Sequence, residues 1–274
     1  MTGRRTVLTS TGPVAVAVRG TGPAVMLLHA NPGDARDFDA IVPALSERFT
    51  TYAVDWPGYG GSPAFDPPRA TTAVGYADLL PEIVAGLGLD RVALIGNSVG
   101  GFAAARLALT HPSWVYALVL VNSGGFNRRD PFTRAVTRIK GTEAVTALLA
   151  GRLPKLYLRR RTPAVRAILA REWGRRHDRT AIEVEAAVWR SFAARGHDLR
   201  RDAGRIGVPA LLVWGTRDPI LGRAGRAARR AVPAAGWHPM RTGHAPYAEA
   251  PEDFLATVTP FLVTQAATLN AHSG

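Results

Sequence analysis

Arg91-Val92-Ala93-Leu94-Ile95-Gly96-Asn97-Ser98-Val99-Gly100-Gly101 is the stretch on which the fold turns. Its first half is continuously apolar, the pattern of a strand buried on both faces of a parallel sheet. Its second half is a G-x-S-x-G sequence that opens a helical run reaching about Leu109. A G-x-S-x-G match is weak by itself. Between a strand and a helix it gains a mechanism, because the tight turn forces the serine into a strained conformation and the glycines leave room for it. A helix starting at Val99 also points unpaired N–H groups and the positive end of its dipole at the space beside Ser98, where negative charge would develop in acyl chemistry. The plainer alternative is a glycine-rich turn that packs helix on sheet, with Ser98 as an ordinary N-cap.

Reading outward, short apolar runs alternate with longer helical patterns. Strands are expected at 24–30, 51–56, 91–96, 116–122 and 209–215, with a weak last strand near Trp237 to Met240. Helices are expected from about Asp37 to Arg48, Thr72 to Leu87, Val99 to Leu109, Arg223 to Arg230 and Glu252 to Gln265. Val14, Val16 and Val18 alternate with small or polar neighbours and read as part of an edge hairpin. This is an α/β chain with a mostly parallel sheet covered on both faces. Between 127 and 205 the strand signals vanish and helical ones take over, so the expected organisation is a core of 1–126 and 206–274 with a helical insertion at 127–205. Inside the insertion, Thr180 and Glu183 form a capping-box pattern, followed by Ile182, Ala186, Trp189 and Ala193 at helical spacing. Thr162 and Pro163 open another helix that runs to Trp173.

The 274 residues, 47% of them hydrophobic, are enough for one large core with an insertion or for two small domains. The absence of cysteine excludes disulfides, thiolate metal sites and a cysteine nucleophile. Basic residues outnumber acidic ones 34 to 21, a net charge of +13, and all the basic ones except Lys140 and Lys155 are arginine. The excess is local: residues 127–205 hold 20 basic and 8 acidic side chains, a net of +12, which leaves +1 for the rest. Such a balance fits a polyanionic partner, an anionic substrate, or an arginine-favouring composition. The scarcity of lysine and the lack of any nucleic-acid motif argue against nucleic acid. Gly, Pro, Ser and Thr interrupt the N-terminal apolar residues, and no apolar run approaches the eighteen or so residues of a membrane span. The expectation is a soluble, cytoplasmic protein with no membrane partner.

A serine needs a base, and the base needs an orienting acid. Asp218, in Thr216-Arg217-Asp218-Pro219, follows the strand at 209–215 and so lies at the sheet edge where parallel sheets build their sites. His244, in Arg241-Thr242-Gly243-His244-Ala245-Pro246, sits in a loop before the last helix. The other histidines fit the role less well: His111 reads as a helix end, His238 as part of the weak strand, and His272 as tail. His177 and His197 lie among polar neighbours in the insertion.

The order Ser98, Asp218, His244 with a helical insertion between resembles the α/β-hydrolase fold family, over essentially the whole chain. His29-Ala30-Asn31-Pro32-Gly33 looks like that family's oxyanion loop, and Asp55-Trp56-Pro57-Gly58-Tyr59-Gly60-Gly61-Ser62 like the segment that comes after it. Val208-Pro209 leading into Val213-Trp214-Gly215 is similarly typical. The resemblance implies an eight-stranded, mostly parallel sheet flanked by helices, with an α-helical cap inserted after strand 6. It implies an oxyanion hole made by the N–H groups of Ala30 and Val99, with alanine where the family commonly has glycine. Serine at the elbow separates the chain from relatives that use aspartate there, the epoxide hydrolases and haloalkane dehalogenases. Gly96 to Gly101 is closer to the elbow of carbon–carbon bond hydrolases and esterases. The activity implied is hydrolysis of a small-molecule ester, lactone, thioester or activated carbon–carbon bond through an acyl-enzyme, with no metal or organic cofactor. The alternatives are acyl transfer, cofactor-free cyclisation or ligand sensing. Asn31, Asn97, Trp173, Trp189 and Phe192 are candidates to line the pocket, although the asparagines could equally brace loops and the aromatics could be the insertion's own core. The basic insertion adds the option of an anionic substrate. Oligomeric state is not readable from the chain.

Overall fold

The computed structural model describes residues 2–128 and 130–271; His272 lies outside them. Eight strands form one sheet: β1 (Thr2–Thr9), β2 (Gly12–Arg19), β3 (Ala24–Leu28), β4 (Thr50–Val54), β5 (Val92–Asn97), β6 (Val115–Val121), β7 (Ala210–Gly215) and β8 (Gly236–Met240). Their spatial order is β1-β2-β4-β3-β5-β6-β7-β8. The β1/β2 and β2/β4 pairs are antiparallel and all other pairs are parallel. The helices are α1 (Val42–Leu45), α2 (Ala73–Gly86), α3 (Val99–Thr110), α4 (Pro131–Lys140), α5 (Glu143–Leu149), α6 (Pro154–Tyr157), α7 (Pro163–Gly174), α8 (Arg179–Ser191), α9 (Gly225–Ala231), α10 (Pro246–Glu249) and α11 (Pro251–Ala271). No helix among the described residues is long and apolar enough to cross a membrane.

Every residue of β5, β6 and β7 is buried, which explains why these strands read as unbroken apolar runs. The period of two then splits their side chains between two cores. Val92 and Leu94 face the layer that holds Tyr76 and Leu80 of α2 and Phe102 of α3. Ala93 and Ile95 face the layer that holds Leu45 of α1 and Phe254 and Val258 of α11. Ile95 is fully buried, and cutting such a side chain to alanine costs about 2–5 kcal/mol. The C-terminal end of β5, and with it the elbow, therefore sits near the middle of a sheet braced on both sides.

Two local expectations are corrected. The helix expected from Asp37 to Arg48 is broken into a 3-10 turn at Ala35–Phe38 and the short α1. Asp34 and Asp37 cap the 3-10 turn reciprocally, and Pro43 stands in the first turn of α1, because its ring has no N–H to continue a helix through that point. The start of α8 is set by Asp178, whose carboxylate accepts from the Ala181 N–H at 3.1 Å. Thr180 lies inside the helix, and Glu183 turns outward to pair with Arg179 at 3.0 Å. By contrast Thr162 caps α7, accepting from the Val165 N–H at 3.1 Å, with Pro163 at its first turn. The helices α4 to α8 all lie between β6 and β7 in the chain.

Candidate active site

Ser98 has φ +55° and ψ −114°, a conformation that costs an L-residue energy and persists only where the surroundings enforce it. Those surroundings are backbone. A methyl group on Gly100 would come within 2.2 Å of the Leu28 carbonyl oxygen, and one on Gly96 within 2.4 Å of the Gly100 carbonyl oxygen. Strand β3, strand β5 and helix α3 thus meet at a spacing that only glycine permits. The Ser98 N–H donates to Val121 O at 3.1 Å, and Ser98 O accepts from Phe102 N and Gly124 N at 3.0 and 2.8 Å. Its hydroxyl makes no capping bond to α3 and instead lines a cavity. Among the described residues, the N–H groups of Ala30 and Val99 donate to no backbone or side-chain acceptor.

His244 opens onto the same cavity. Its Nδ1 lies 2.7 Å from Asp218 Oδ2, so that nitrogen carries the proton toward the carboxylate and Nε2 is left as the acceptor nitrogen of the ring. Asp218 accepts two further bonds, from Asn122 Nδ2 at 2.7 Å and the Ile220 N–H at 2.8 Å. Burial works against its ionisation, but the charge and hydrogen bond of His244 and the bonds from Ile220 and Asn122 outweigh it, holding Asp218 below the usual carboxylate range. Asn122, at φ +37°, also accepts from the Gly215 N–H at 2.7 Å, which ties the end of β6 to the loop that carries Asp218. The His244 N–H donates to Tyr157 O at 3.0 Å. Buried Glu249 accepts from the N–H groups of Gly243, Arg159 and Arg160 at 2.9, 2.9 and 3.0 Å, clamping the histidine loop to the chain between α6 and α7. Among the described residues no Ser98–His244 hydrogen bond closes the array; such bonds commonly tighten only when substrate is bound.

The cavity holds about 60 Å³, room for a few waters. The sheet side of its wall includes Val99, Ile220 and Leu221, and residues 127–205 contribute Thr133, Arg134, Thr137, Trp189, Phe192 and His197 among others. Of the candidate pocket residues, Trp189 and Phe192 line it edge to face, 5.4 Å apart. Asn31 lines it too, with its side chain held by the Tyr59 hydroxyl and by Glu185 O. Asn97 is a correction: it is a brace, donating to Val121 O and His244 O at 2.9 and 3.0 Å and accepting from the Tyr247 hydroxyl. Trp173 is another. It stands away from the cavity at 38% exposure, its ring covered by Arg176, Lys155 and Arg152 at 4.3, 5.0 and 5.6 Å. On the outside of the insertion, the cations are attracted to the face of the ring and cover part of it.

Sequence reasoning missed Asn122, Glu249 and His197. An asparagine ending a buried strand is a readable signal of a polar tie. His197 differs from its expected polar setting, for it is buried between Phe102 and Phe192, with ring centroids 4.5 and 4.7 Å away. Also missed was an ionic seam beneath the insertion. Arg171 of α7 binds Asp37 at 2.6 Å and Asp34 at 3.5 Å, and Arg175 binds Glu172 with both oxygens at 3.1 Å. Burial, helped by the Asp34 charge, pushes Asp37 up to about 7 despite Arg171. His29 is buried beside this seam, its Nδ1 donating to Ala30 O at 2.7 Å and its Nε2 accepting from the Trp56 N–H at 3.1 Å. Burial lowers its pKa, so the ring is a neutral strut of the loop that carries Ala30.

A family model described as the alpha/beta hydrolase fold matches residues 23–251. A pimeloyl-[acyl-carrier protein] methyl ester esterase of Chromobacterium violaceum is 32% identical over 263 residues, covering 92% of this chain and 98% of the relative. A second esterase of that name, from Aeromonas hydrophila, is 28% identical over 268 residues, covering 91% and 99%. Among solved structures, the enol-lactonase from Burkholderia xenovorans superposes with a TM-score of 0.79 at 23% identity, covering 94% of this chain and 100% of that one.

Proposed function

The chain belongs to the alpha/beta hydrolase fold family, and from that premise we propose that it hydrolyses a small-molecule carboxylic ester through an acyl-enzyme on Ser98. The observation that carries the reading is the strained turn that presents the Ser98 hydroxyl to the cavity onto which His244, bonded to Asp218, also opens.

In the proposed reaction His244 Nε2 takes the proton of the Ser98 hydroxyl as Oγ attacks the ester carbonyl carbon. The carbonyl oxygen becomes an oxyanion facing the N–H groups of Ala30, after β3, and Val99, at the N-terminus of α3, neither of which has an acceptor among the described residues. Collapse breaks the bond to the alkoxide, which takes the proton from His244 and leaves. Water then gives a proton to the same nitrogen and attacks the acyl carbon, and the acid departs as Ser98 is reprotonated. Asp218 keeps Nδ1 protonated and the ring in place, and Asn122 keeps Asp218 in place. Residues 127–205 act as a cap that supplies the wall opposite the elbow. Lactones and thioesters fit the same steps. The ester is preferred because two relatives matched over almost their whole length bear an esterase's name.

The test is covalent. A fluorophosphonate is expected to label the protein at Ser98, and Ser98→Ala is expected to abolish both labelling and p-nitrophenyl acetate cleavage, a loss of about 10⁶-fold in kcat. Labelling that persists in the variant would falsify the assignment.

A further inference from the structure

Helix α4 is turned the wrong way for a lid that merely covers an oily pocket. Phe132, Val136 and Ile139, spaced as one stripe along it, are 77%, 45% and 59% exposed. The face it gives to the cavity is Thr133, Arg134 and Thr137. An amphipathic helix ordinarily buries its apolar stripe, so the reversed orientation puts polar groups where a substrate would sit.

The arginines sharpen this. Elsewhere in the insertion Arg171, Arg175 and Arg200 hold carboxylates and Arg190 holds the Gly141 carbonyl at 2.5 Å. Lys140 is spent on Glu185 at 2.9 Å. Arg128 and Arg134 line the cavity, and among the described residues neither side chain has a hydrogen bond or ion pair. Among the described residues no aspartate or glutamate lines the cavity with them. The one acid close to both in sequence, Asp130, caps the start of α4, accepting from the Thr133 N–H at 2.8 Å; the Arg128 charge acts on it at a distance but forms no ion pair with it.

We propose that Arg128 and Arg134 bind a carboxylate of the substrate, so that the ester cleaved at Ser98 carries a second, ionised carboxyl group. This rests on the esterase reading above and narrows it to half-esters of dicarboxylic acids and similar carboxylated esters. Guanidinium forks match a carboxylate in geometry as well as charge. Because both arginines are on the exposed rim, the gain is moderate and sensitive to salt.

The experiment compares mono-p-nitrophenyl glutarate with its neutral methyl ester. The expected kcat/KM for the ionised substrate is about tenfold higher in low salt, and the advantage shrinks at 0.5 M NaCl. The double variant Arg128→Gln/Arg134→Gln, checked for an unchanged melting temperature, brings the ratio of the two substrates to about one, chiefly through KM. Arg134→Lys keeps part of the ratio that Arg134→Gln loses. Equal turnover of both esters by the unaltered protein, or an undiminished ratio in the double variant, overturns the proposal while leaving the esterase reading intact. If neither ester is cleaved in a Ser98-dependent way, the esterase reading itself fails.

Discussion

The sheet body and the segment at 127–205 handle charge in opposite ways. The body is nearly neutral at +1, and the polar groups around its elbow are each committed: Asp218 to three donors, Glu249 to the histidine loop and its neighbours, Asn122 to Asp218 and Gly215. The segment carries +12; some of its arginines are tied to carboxylates or carbonyls, among them Arg171 and Arg175 in a buried seam at its base, whereas the side chains of Arg128 and Arg134 at the rim of the cavity have no hydrogen bond or ion pair among the described residues. Saturated hydrogen bonding fixes geometry, which is what a reacting array requires. Unsatisfied donors at a rim are free to select a ligand. On the proposed reading, the body would hold the chemistry and the segment would choose what reaches it.

The sharpest way to break that division is to damage the body alone. Asp218→Asn keeps the size of the side chain but removes the charge and offers an amide N–H where the ring needs an acceptor, favouring the wrong tautomer of His244. The expected loss in kcat is about 10⁴-fold, with KM for a neutral p-nitrophenyl ester little changed. A loss confined to KM would move Asp218 out of the reaction and into substrate binding.

Next in size is the seam. Arg171→Leu leaves Asp34 and Asp37 buried side by side without their shared cation. Asp34 keeps Arg36 at 2.7 Å, so the uncompensated charge is that of Asp37 where it is ionised; above about pH 7 the loss approaches the roughly 3–5 kcal/mol of a broken buried pair, and it is smaller at lower pH. Urea unfolding should show that loss, and adding Asp37→Asn to it should return a good part. If the single variant unfolds like the unaltered protein, the seam is not what holds the segment to the body.

The reach of the sequence alone divides along the same boundary. Strands buried on both faces betray themselves by unbroken apolar runs, so β3 to β7 and their parallel arrangement were readable and the elbow was placed by its neighbours on either side; β8 was only a weak signal, β2 showed as half of an edge hairpin, and β1 had no apolar run to mark it. Ser98, Asp218 and His244 stood out because each follows a strand or precedes a helix at one edge of the sheet. What escaped depends on contacts between distant residues. Nothing near Asp37 announces Arg171, 134 positions away, and nothing near Glu249 announces the backbone of Arg159, 90 away. Helical spacing gave Trp173 and Trp189 the same credentials, yet α8 lines the cavity with Trp189 while Trp173 at the end of α7 faces outward under three cations. Amphipathic pattern predicts that a helix has two faces; α4 shows that it does not decide which face meets solvent.

The smallest effect is the most diagnostic of the seam's charge state. Unfolded, Asp37 titrates as an ordinary carboxyl near 3.9; folded, burial and the charge of Asp34 raise it to about 7. Between about pH 4 and 7 the native protein therefore keeps a proton that the unfolded chain releases. The contribution of Asp37 to stability is fully present below pH 4 and is lost as the pH rises to 7, with a slope no steeper than about 1.4 kcal/mol per pH unit. Asp34 and Asp218, whose pKa values are lowered, have the opposite sign and lose their contribution only as the pH falls through the carboxylate range. Glu172 and Asp39 are raised by burial and slope with Asp37, and the lowered His29 slopes against it, so the raw pH profile is a mixture. The difference between Asp37→Asn and the unaltered protein isolates the one group. Across pH 4 to 7 the variant should gain in relative stability as the pH rises. A difference that stays constant through that window would mean that Arg171 keeps Asp37 ionised throughout and that the seam is a plain salt bridge.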